Sequence, residues 1–381
     1  MSHGADTENI KRQFNIGSDL IDYSSNINPV TPIALKQAII DSIDSIGAYP
    51  DIDYVDLRDK IARSINRQYM RSCDILGSGF DDSILDNQRL LSRDNICVGN
   101  GASELISLIF RLDIFDKVRV LSPLYSEHIR SSRIGGKGPI ISPMKDIYGS
   151  DDKVYLSFED MDLARDPREA IVVCNPGAPD ARLRNLDFLV DHCRTYGKYL
   201  IIDESFMDFC EGYSYNSGFK YDYGKIIIVK SLTKIYGMPG LRLGYMMARD
   251  KSIVEKVRSI QEPWSVNSLA QAGAMAVLED LDFLEKTRKS YKKEREYLMD
   301  ELSRMSAIDI HKSDTAYILC SLNDRSKYDT AHDLKMDMVR EKSILIRDAS
   351  SFEGLTPRHF RLAIKSHDLN EVLVDSLRQI L

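Results

Sequence analysis

The chain of 381 residues contains 43% hydrophobic and 29% charged residues and carries a net charge of −7. This length exceeds what one compact core usually holds, so we expect two or three domains or lobes. The acidic balance argues against duplex nucleic-acid binding, the first residues lack an apolar signal segment, and no apolar run approaches the roughly 18 residues that span a bilayer. We therefore expect a soluble, cytoplasmic protein with neither nucleic-acid nor membrane partners.

The first predicted elements are a polar arm and two helices. Residues 1–30 are polar and end in S-S-N-I-N-P, which indicates an extended arm. Helices are predicted over residues 33–46 and 54–70, separated by a turn at Ala48-Tyr49-Pro50-Asp51. Residues 71–94 contain two glycines and several aspartates, and we predict a loop there.

Short apolar strands then alternate with segments of helical period. The predicted strands are Ile96–Val98, Val118–Leu121, Ile171–Cys174, Tyr199–Ile202, Ile226–Val229 and Leu243–Met247. This alternation is typical of an α/β protein with a mostly parallel sheet flanked by helices.

The C-terminal third changes character. Residues 254–302 are helical in pattern, with a break at Glu262-Pro263-Trp264, after which Ser265 or Asn267 is expected as an N-cap. The last part combines two helices with short strands, predicted at 316–320, 343–346 and 359–364. We therefore predict an N-terminal arm and first helix packed on the small domain, a large domain, and a smaller α+β C-terminal domain, with limits 1–45, 46–255 and 256–381.

Polar residues follow five of the predicted strands. They are Gly99-Asn100-Gly101-Ala102-Ser103-Glu104, Tyr125, Asn175-Pro176, Asp203-Glu204 and Ser231-Leu232-Thr233-Lys234. Ligands of open α/β sheets bind outside the carboxyl ends of the strands. The five segments therefore predict a single site.

The G-N-G-A-S-E segment indicates an anion site. Its glycines form a turn that feeds a helix N-terminus, where free N–H groups and the helix dipole favour a phosphate, although an ordinary strand-to-helix turn is an open alternative. Glu104 occupies the place of the third glycine of a dinucleotide fingerprint, so nicotinamide binding is not favoured. No G-x₄-G-K-[ST] motif for nucleoside triphosphates occurs.

Lys234, Arg242 and Asp203 suggest the cofactor. A lysine that forms an imine, close to an arginine that holds a phosphate, suits pyridoxal phosphate, and a buried carboxylate suits its protonated ring nitrogen. Without a cofactor, Lys234 and Arg242 would be solvated charges on a loop, and Asp203 would cap a helix or form a salt bridge. The S-x-x-K pattern of serine acyl enzymes lacks its companion S-D-N and K-T-G motifs. We interpret Lys230, just off the strand, as structural.

Cysteine and histidine spacings show no metal pattern, so no metal is expected.

These motifs, in this order over roughly residues 20–370, resemble fold-type I pyridoxal-phosphate enzymes of the class I/II aminotransferase group. Within this group the chain is most similar to the threonine-phosphate decarboxylase branch, and after it to the histidinol-phosphate aminotransferase branch. The segments that favour the decarboxylase branch are S-S-N-I-N-P, G-M-P-G-L-R-L-G-Y and I-R-D-A-S-S-F-E-G-L. The resemblance implies that Lys234 binds the cofactor aldehyde, Asp203 pairs with the ring nitrogen, Asn175 bonds the ring 3-oxygen and Tyr125 stacks on the ring. The implied phosphate ligands are Ala102, Ser103, Ser231, Thr233, Arg242 and, from the other subunit of a homodimer with a shared site, Tyr49.

The resemblance also implies a phosphorylated amino-acid substrate. Arg361 would hold its carboxylate, and its phosphate would be held by Arg347, His3 and Asn28. The implied reaction is decarboxylation of O-phospho-L-threonine to (R)-1-aminopropan-2-yl phosphate for cobalamin synthesis, with O-phospho-L-serine as a close variant. Transamination of histidinol phosphate and a non-catalytic effector role are the alternatives. Two departures stand out: Phe206 replaces a frequent tyrosine, and Gly177-Ala178-Pro179-Asp180 differs from the usual N-N-P-T-G.

Overall fold

A computed structural model describes residues 6–16, 19–75, 90–144, 146–148, 154–156, 165–212 and 216–381. The described α-helices are Thr7–Phe14 (α1), Ile33–Asp41 (α2), Val55–Ile75 (α3), Ala102–Ile109 (α4), Ser126–Ile134 (α5), Asp187–Tyr196 (α6), Leu232–Ile235 (α7), Lys251–Ser259 (α8), Ser268–Val277 (α9), Leu281–Ser303 (α10), Ala331–Lys342 (α11) and His367–Ile380 (α12). The described strands are Ile21–Asp22 (β1), Ile96–Asn100 (β2), Lys117–Ser122 (β3), Pro139–Pro143 (β4), Asp146–Tyr148 (β5), Val154–Leu156 (β6), Glu169–Cys174 (β7), Tyr199–Asp203 (β8), Ile226–Ser231 (β9), Leu243–Ala248 (β10), Ile308–Ile310 (β11), Tyr317–Leu322 (β12), Ile344–Leu345 (β13), Arg347–Asp348 (β14) and His359–Ala363 (β15).

A seven-stranded sheet forms the centre of the fold. Its order is β2-β10-β9-β8-β7-β3-β4, and every pairing is parallel except the two made by β10. The prediction of a mostly parallel sheet flanked by helices is confirmed. The pattern missed β4, because this edge strand begins and ends with proline and its side chains are only partly buried.

Two apolar layers, one on each face, bury this sheet. Along β9 the side chains alternate, so that Ile226 and Ile228 join one hydrophobic cluster while Ile227 and Val229 join the other. Burial on both faces explains why these strands read as continuous apolar runs. Polar side chains of these strands are concentrated at the carboxyl edge, although Arg119 within β3 is buried and donates to Glu169 at the start of β7.

A smaller antiparallel sheet, β11-β12-β15-β14, lies in the C-terminal part. The strand predicted over 343–346 was wrong as one element, because the chain changes partners there. β13 pairs with β1 near the N-terminus, whereas β14 pairs with β15. This exchange ties the N-terminal region to the small sheet. The domain limits 1–45, 46–255 and 256–381 remain a prediction.

The N-terminal arm is not extended throughout, which corrects the prediction for residues 1–30. Helix α1 forms because Ile10 and Phe14, four residues apart, pack on Val339 and Leu345 of the C-terminal part. A polar segment of eight residues would not form a stable helix alone, so tertiary contact supplies the stabilisation.

The remaining helix predictions differ mainly at their ends. The predicted 33–46 helix is α2 followed by a 3₁₀ turn over Ile43–Gly47, and α3 continues to Ile75. The rest of the predicted 71–94 loop lies largely outside the described residues. The 254–302 segment is divided among α8, α9 and α10, and Asn267 caps α9 by accepting a hydrogen bond from the Ala270 N–H at 2.8 Å.

Among the described helices, none is both long and apolar enough to cross a membrane.

Candidate active site

A cavity of about 320 Å³ opens at the carboxyl edge of the seven-stranded sheet, where the sequence predicted a site. Segments 24–27 and the small sheet close its other side. The predicted residues that line it are Ala102, Ser103, Tyr125, Asp203, Ser231, Thr233, Lys234, Arg242, Arg347 and Arg361. Residues far apart in the chain therefore share one chamber.

An anion cradle lies at the start of α4. Gly101 has a φ of +76°, and a Cβ at this position would lie 2.6 Å from Nη2 of Arg242. A Cβ on Gly244 would lie 2.6 Å from the backbone nitrogen of Ala102. The glycines therefore let the guanidinium and the first helical N–H groups approach one another, which is the geometry of a phosphate site. Glu104 accepts a hydrogen bond from the Asn100 N–H and orders this turn.

The buried Lys234 amine is the nucleophile candidate. Burial lowers its pKa to about 8; Arg242 and Arg361 act in the same direction, and Asp203 opposes them. Its Nζ donates to Thr233 Oγ1 at 3.0 Å and to Ser231 Oγ at 3.3 Å. A much larger neutral fraction at neutral pH makes this amine suited to imine formation.

The neighbouring Lys230 has a structural environment, in agreement with its interpretation from sequence. It is fully buried, and its Nζ donates to Asp208 Oδ1 at 2.9 Å. A buried cation held by a carboxylate in this way is not available as a nucleophile.

Asp203 is a buried carboxylate with two donors. Burial alone would raise its pKa, but hydrogen bonding and charge interaction with His128, together with the Ser205 N–H, outweigh burial and lower the pKa. His128 Nε2 lies 2.9 Å from Oδ2, and the Ser205 N–H donates to Oδ1 at 2.9 Å. The carboxylate is thus kept ionised, as a partner for a protonated ring nitrogen must be.

Sequence reasoning missed His128. It lies in the first turn of α5, three residues after Tyr125, and is wholly buried between the rings of Phe110 and Tyr125. Its position after a strand end was the available signal. His128 and Asp203 also lie within 4.8 Å of the Cys174 sulfur, an arrangement that resembles a metal-ligand set. Burial raises the pKa of the Cys174 thiol well above its usual value, which makes it a poor ligand.

Asn175 is not among the residues that line the cavity. Its Nδ2 donates to the Arg184 carbonyl at 3.0 Å, and its Oδ1 accepts from the Arg184 N–H at 2.9 Å. The amide therefore pins the loop that follows β7. Pro176 and Ala178 of this loop form the wall instead, together with Phe206. The contact of Asn175 with the ring 3-oxygen stays a prediction, and it would have to use the second amide hydrogen.

Two arginines lie side by side at the small-sheet end of the cavity. Arg347 and Arg361 are directly opposite in the β14–β15 pair, and both are buried. Burial lowers the pKa of Arg361 to about 10, and the charge of Arg347 adds to this effect. Arg347 Nη2 donates to Ser351 Oγ at 3.0 Å, and Arg361 Nη2 donates to the Ser24 carbonyl at 3.3 Å. Such a concentration of positive charge suits an anionic ligand.

Of the other predicted substrate residues, Asn28 does not line the cavity. Asn28 donates through Nδ2 to the Ile235 carbonyl at 2.8 Å and accepts from the Val30 N–H at 3.0 Å, so its side chain braces the Lys234 loop. His3 lies outside the described residues. Asn26, two residues earlier, lines the cavity, is buried, and has no hydrogen-bond partner for either amide atom in the described parts of the chain.

Tyr49 is exposed on the surface, with its ring 4.5 Å from that of Trp264. It is not among the lining residues of its own chain. Its predicted contact with a cofactor phosphate concerns a second subunit and stays a prediction.

The residues present fit pyridoxal phosphate. The anion cradle with Arg242 matches its phosphate, the Lys234 amine with its lowered pKa matches its aldehyde, and the buried, ionised Asp203 matches its ring nitrogen. All three features lie in one cavity.

Comparisons with known proteins agree with this donor set. The family model for aminotransferase class I and II matches residues 13–377. The chain is 28% identical to the threonine-phosphate decarboxylase of Salmonella typhimurium, over the whole of this chain and 96% of the relative. It is 26% identical to a histidinol-phosphate aminotransferase of Methanosphaera stadtmanae, over 99% of this chain and 95% of the relative.

The solved structures show the same fold. The histidinol-phosphate aminotransferase of Clostridium acetobutylicum superposes with a TM-score of 0.78 at 28% identity, covering 95% of this chain and 99% of that one. The enzyme from Sinorhizobium meliloti, solved with pyridoxal-5'-phosphate, has a TM-score of 0.79 at 17% identity, with coverage of 98% and 93%. The chain therefore belongs to the aminotransferase class I and II family of pyridoxal-phosphate enzymes.

Proposed function

We propose that this enzyme decarboxylates O-phospho-L-threonine to (R)-1-aminopropan-2-yl phosphate, a reaction of cobalamin synthesis, with O-phospho-L-serine as a close variant. The observation that carries the proposal is the buried pair Arg347 and Arg361, opposite one another and facing the same cavity as Lys234. Two buried cations favour a substrate with two anionic groups, here a carboxylate and a phosphate. The Salmonella relative bears the name of this activity.

Asn26 supports a polar substrate at the same end. A buried amide with no partner among the described residues is costly unless a ligand satisfies it. We assign to Asn26 the substrate contact that the sequence placed on Asn28, because the amide of Asn28 is committed to backbone groups. Ser351 also lines this end, and its hydroxyl accepts from Arg347 and can still donate to a ligand. Ser25 lines it as well, but its hydroxyl donates to the Asp22 carboxylate.

Each part of the chain has a defined task in the proposed reaction. The bound cofactor supplies an electron sink for the bond that breaks at the substrate Cα. Asp203, held ionised by His128 and the Ser205 N–H, would keep a proton on the cofactor's ring nitrogen. The Lys234 amine would hold the cofactor and would serve as the proton donor to the substrate Cα.

The arginines and the aromatic walls would control which bond breaks. By fixing the orientation of the substrate carboxylate, Arg361 would select between loss of CO₂ and loss of the α-hydrogen. Tyr125, Phe206 and Phe352 line the cavity and exclude water around the reacting atoms.

Transamination of histidinol phosphate is the second candidate. L-Glutamate, the usual amino donor, has two carboxylates and would also satisfy two arginines. Similarity of 26% to the Methanosphaera aminotransferase favours this candidate almost as much as similarity to the decarboxylase favours the first. A catalytic role of either kind, rather than that of an effector, is supported by the complete set of Lys234, Asp203 and Arg242 in one cavity.

We propose that the active form is a homodimer. Helix α2 packs Leu35 and Ile39 toward Gly273 of α9 and leaves Ile33 and Ile40, seven residues apart, exposed on the other side. Further exposed apolar side chains continue along the neighbouring segments: Val30, Ile43, Ile46, Tyr49, Ile52, Ile260 and Trp264. So many exposed apolar residues mark an interaction surface, and Tyr49 within it was predicted to enter the partner's site.

Product analysis distinguishes the candidates. Purified holoenzyme is incubated with O-phospho-L-threonine, O-phospho-L-serine and histidinol phosphate, and CO₂ release is scored against amino transfer to 2-oxoglutarate. We expect CO₂ from phosphothreonine and no transfer. Lys234→Ala is the control and should lose at least a thousandfold in rate, together with the visible band of bound cofactor. Transfer to 2-oxoglutarate without CO₂ would replace the proposal by the second candidate.

A further inference from the structure

Tyr317 lies directly behind the Arg361 guanidinium, one layer outside the cavity. The Cζ of Arg361 is 4.9 Å from the centroid of the Tyr317 ring. Tyr317 is fully buried and is not a lining residue, whereas Arg361 lines the cavity. A guanidinium stacked on a ring keeps its N–H groups in a plane that remains open to a ligand.

Few other contacts fix the plane of Arg361. Its Nη2 donates to the Ser24 carbonyl at 3.3 Å, which is a long hydrogen bond. Its Nε has no hydrogen-bond partner in the ranges that the structure describes, and no carboxylate there forms an ion pair with it. The second ring near it, Phe352, has its centroid 5.9 Å from Cζ. The nearer Tyr317 ring is therefore the principal support.

Tyr317 is itself anchored to the opposite side of the cavity. Its hydroxyl donates to the Gly177 carbonyl at 2.6 Å, in the loop that supplies Pro176 and Ala178 to the cavity wall. Its ring also packs edge-on against Phe206, with 4.9 Å between centroids and 77° between planes. One side chain of the small sheet thus touches the substrate arginine and the wall beside the cofactor.

We propose that Tyr317 is a positioning residue that sets the plane and depth of Arg361 relative to Lys234. The proposal rests on the proposed function, in which Arg361 holds the substrate carboxylate. The competing interpretation is that Tyr317 only fills space between the two sheets. The two differ in consequence, because a positioning role affects ligands that carry a carboxylate more than ligands that lack one.

The test compares holoenzymes with Tyr317→Leu, which removes the ring, and Tyr317→Phe, which keeps the ring and removes the hydroxyl. Steady-state assays give KM for O-phospho-L-threonine and the inhibition constant of its product, which has the phosphate but no carboxylate. For Tyr317→Leu we expect KM to rise about tenfold or more, as loss of a buried cation–π contact predicts, while the inhibition constant changes less than about twofold. Tyr317→Phe should keep KM within about threefold of the wild type.

Tyr328→Leu is the matched control, because Tyr328 is another buried tyrosine of the C-terminal part, donates to Asp337 Oδ2 at 3.1 Å, and does not line the cavity. It should be destabilised without a change in KM. The proposal is overturned if KM is unchanged in Tyr317→Leu, if KM and the inhibition constant rise together, or if Tyr328→Leu shows the same selective rise. If the wild type releases no CO₂, the proposed substrate is wrong, but the role of Tyr317 can still be tested. KM for L-glutamate in amino transfer then replaces KM for phosphothreonine, and the same changes are expected in the Tyr317 variants.

Discussion

At the scale of single residues, the site depends on the charge state of two buried groups. Lys234 is made easier to deprotonate by burial, whereas Asp203 is kept ionised against burial by hydrogen bonds from His128 and the Ser205 N–H. Both pKa values are lowered, which favours the neutral form of Lys234 and the charged form of Asp203. Perturbed pKa values of two groups in one cavity are characteristic of a catalytic site. An amine and an acid on a solvated loop would show neither.

The lowered pKa of Lys234 predicts how the cofactor-free protein takes up pyridoxal phosphate. An amine with a pKa of about 8 is mostly protonated below that pH and mostly neutral above it. The rate of covalent capture should therefore increase about tenfold per pH unit up to roughly pH 8 and level off near pH 9. Stopped-flow absorbance of the cofactor measures this rate. A rate that keeps rising through pH 10 would mean that Lys234 behaves as an ordinary exposed lysine.

At the scale of elements, function is concentrated at the junctions where a strand ends and a helix begins. The β2–α4 junction places backbone N–H groups beside Arg242, and the β9–α7 junction places Ser231, Thr233 and Lys234 around the same space. Parallel strands bring these junctions to one edge, which is why the motifs, distant in sequence, converge. The apolar strand interiors have no such role.

Gly101→Ala should weaken cofactor binding without unfolding the protein. The position has a positive φ, and the added Cβ would collide with Arg242 Nη2. We expect the Kd for pyridoxal phosphate to rise at least about tenfold, measured by fluorescence titration of the cofactor-free protein. Gly240→Ala is the matched control, because a Cβ there meets nothing within 4 Å and its φ is not positive. Equal Kd values for the two variants would remove the steric argument for the cradle.

At the scale of the whole molecule, the cavity is built by both sheets and the N-terminal segment. The large sheet supplies the cofactor residues, while Arg347 and Arg361 come from the small sheet and Asn26 from the N-terminal segment. The β1–β13 pair ties that segment to the C-terminal part. The substrate end of the site therefore requires the complete fold.

The exposed apolar surface around α2 predicts a dimer that charges disrupt. In the double variant Ile33→Asp and Ile46→Asp, two carboxylates would be buried at the interface, and sedimentation velocity should show a monomer. Cofactor affinity should fall as well, since the predicted contact of Tyr49 with the cofactor phosphate of the partner subunit would be lost. Phe188→Asp, at another exposed apolar position, on α6, is the control and should remain dimeric. A monomeric wild-type protein would contradict the proposal.

Local pattern suggested the cofactor machinery, and the family resemblance supplied its roles. Ser231, Thr233, Lys234 and Arg242 lie in one short segment after an apolar strand, and this order of strand, hydroxyls, lysine and arginine is part of the motif set that carries the resemblance. The parallel sheet was equally predictable, because strands buried on both faces are apolar throughout and alternate with helices. Both conclusions follow from residues near one another in the chain.

Tertiary structure decided what depends on distant neighbours. Sequence could not distinguish Asn26 from Asn28, because only the fold shows that backbone groups near Lys234 occupy the amide of Asn28 and leave that of Asn26 facing the cavity. Asn175 is likewise held by Arg184 nine residues later. His128 and Tyr317 have no local motif; their contacts with Asp203 and Arg361 arise from packing between separate elements. Sequence thus determined the cofactor, whereas the three-dimensional arrangement of side chains decided which of them line the cavity, because that depends on contacts between residues distant in the chain.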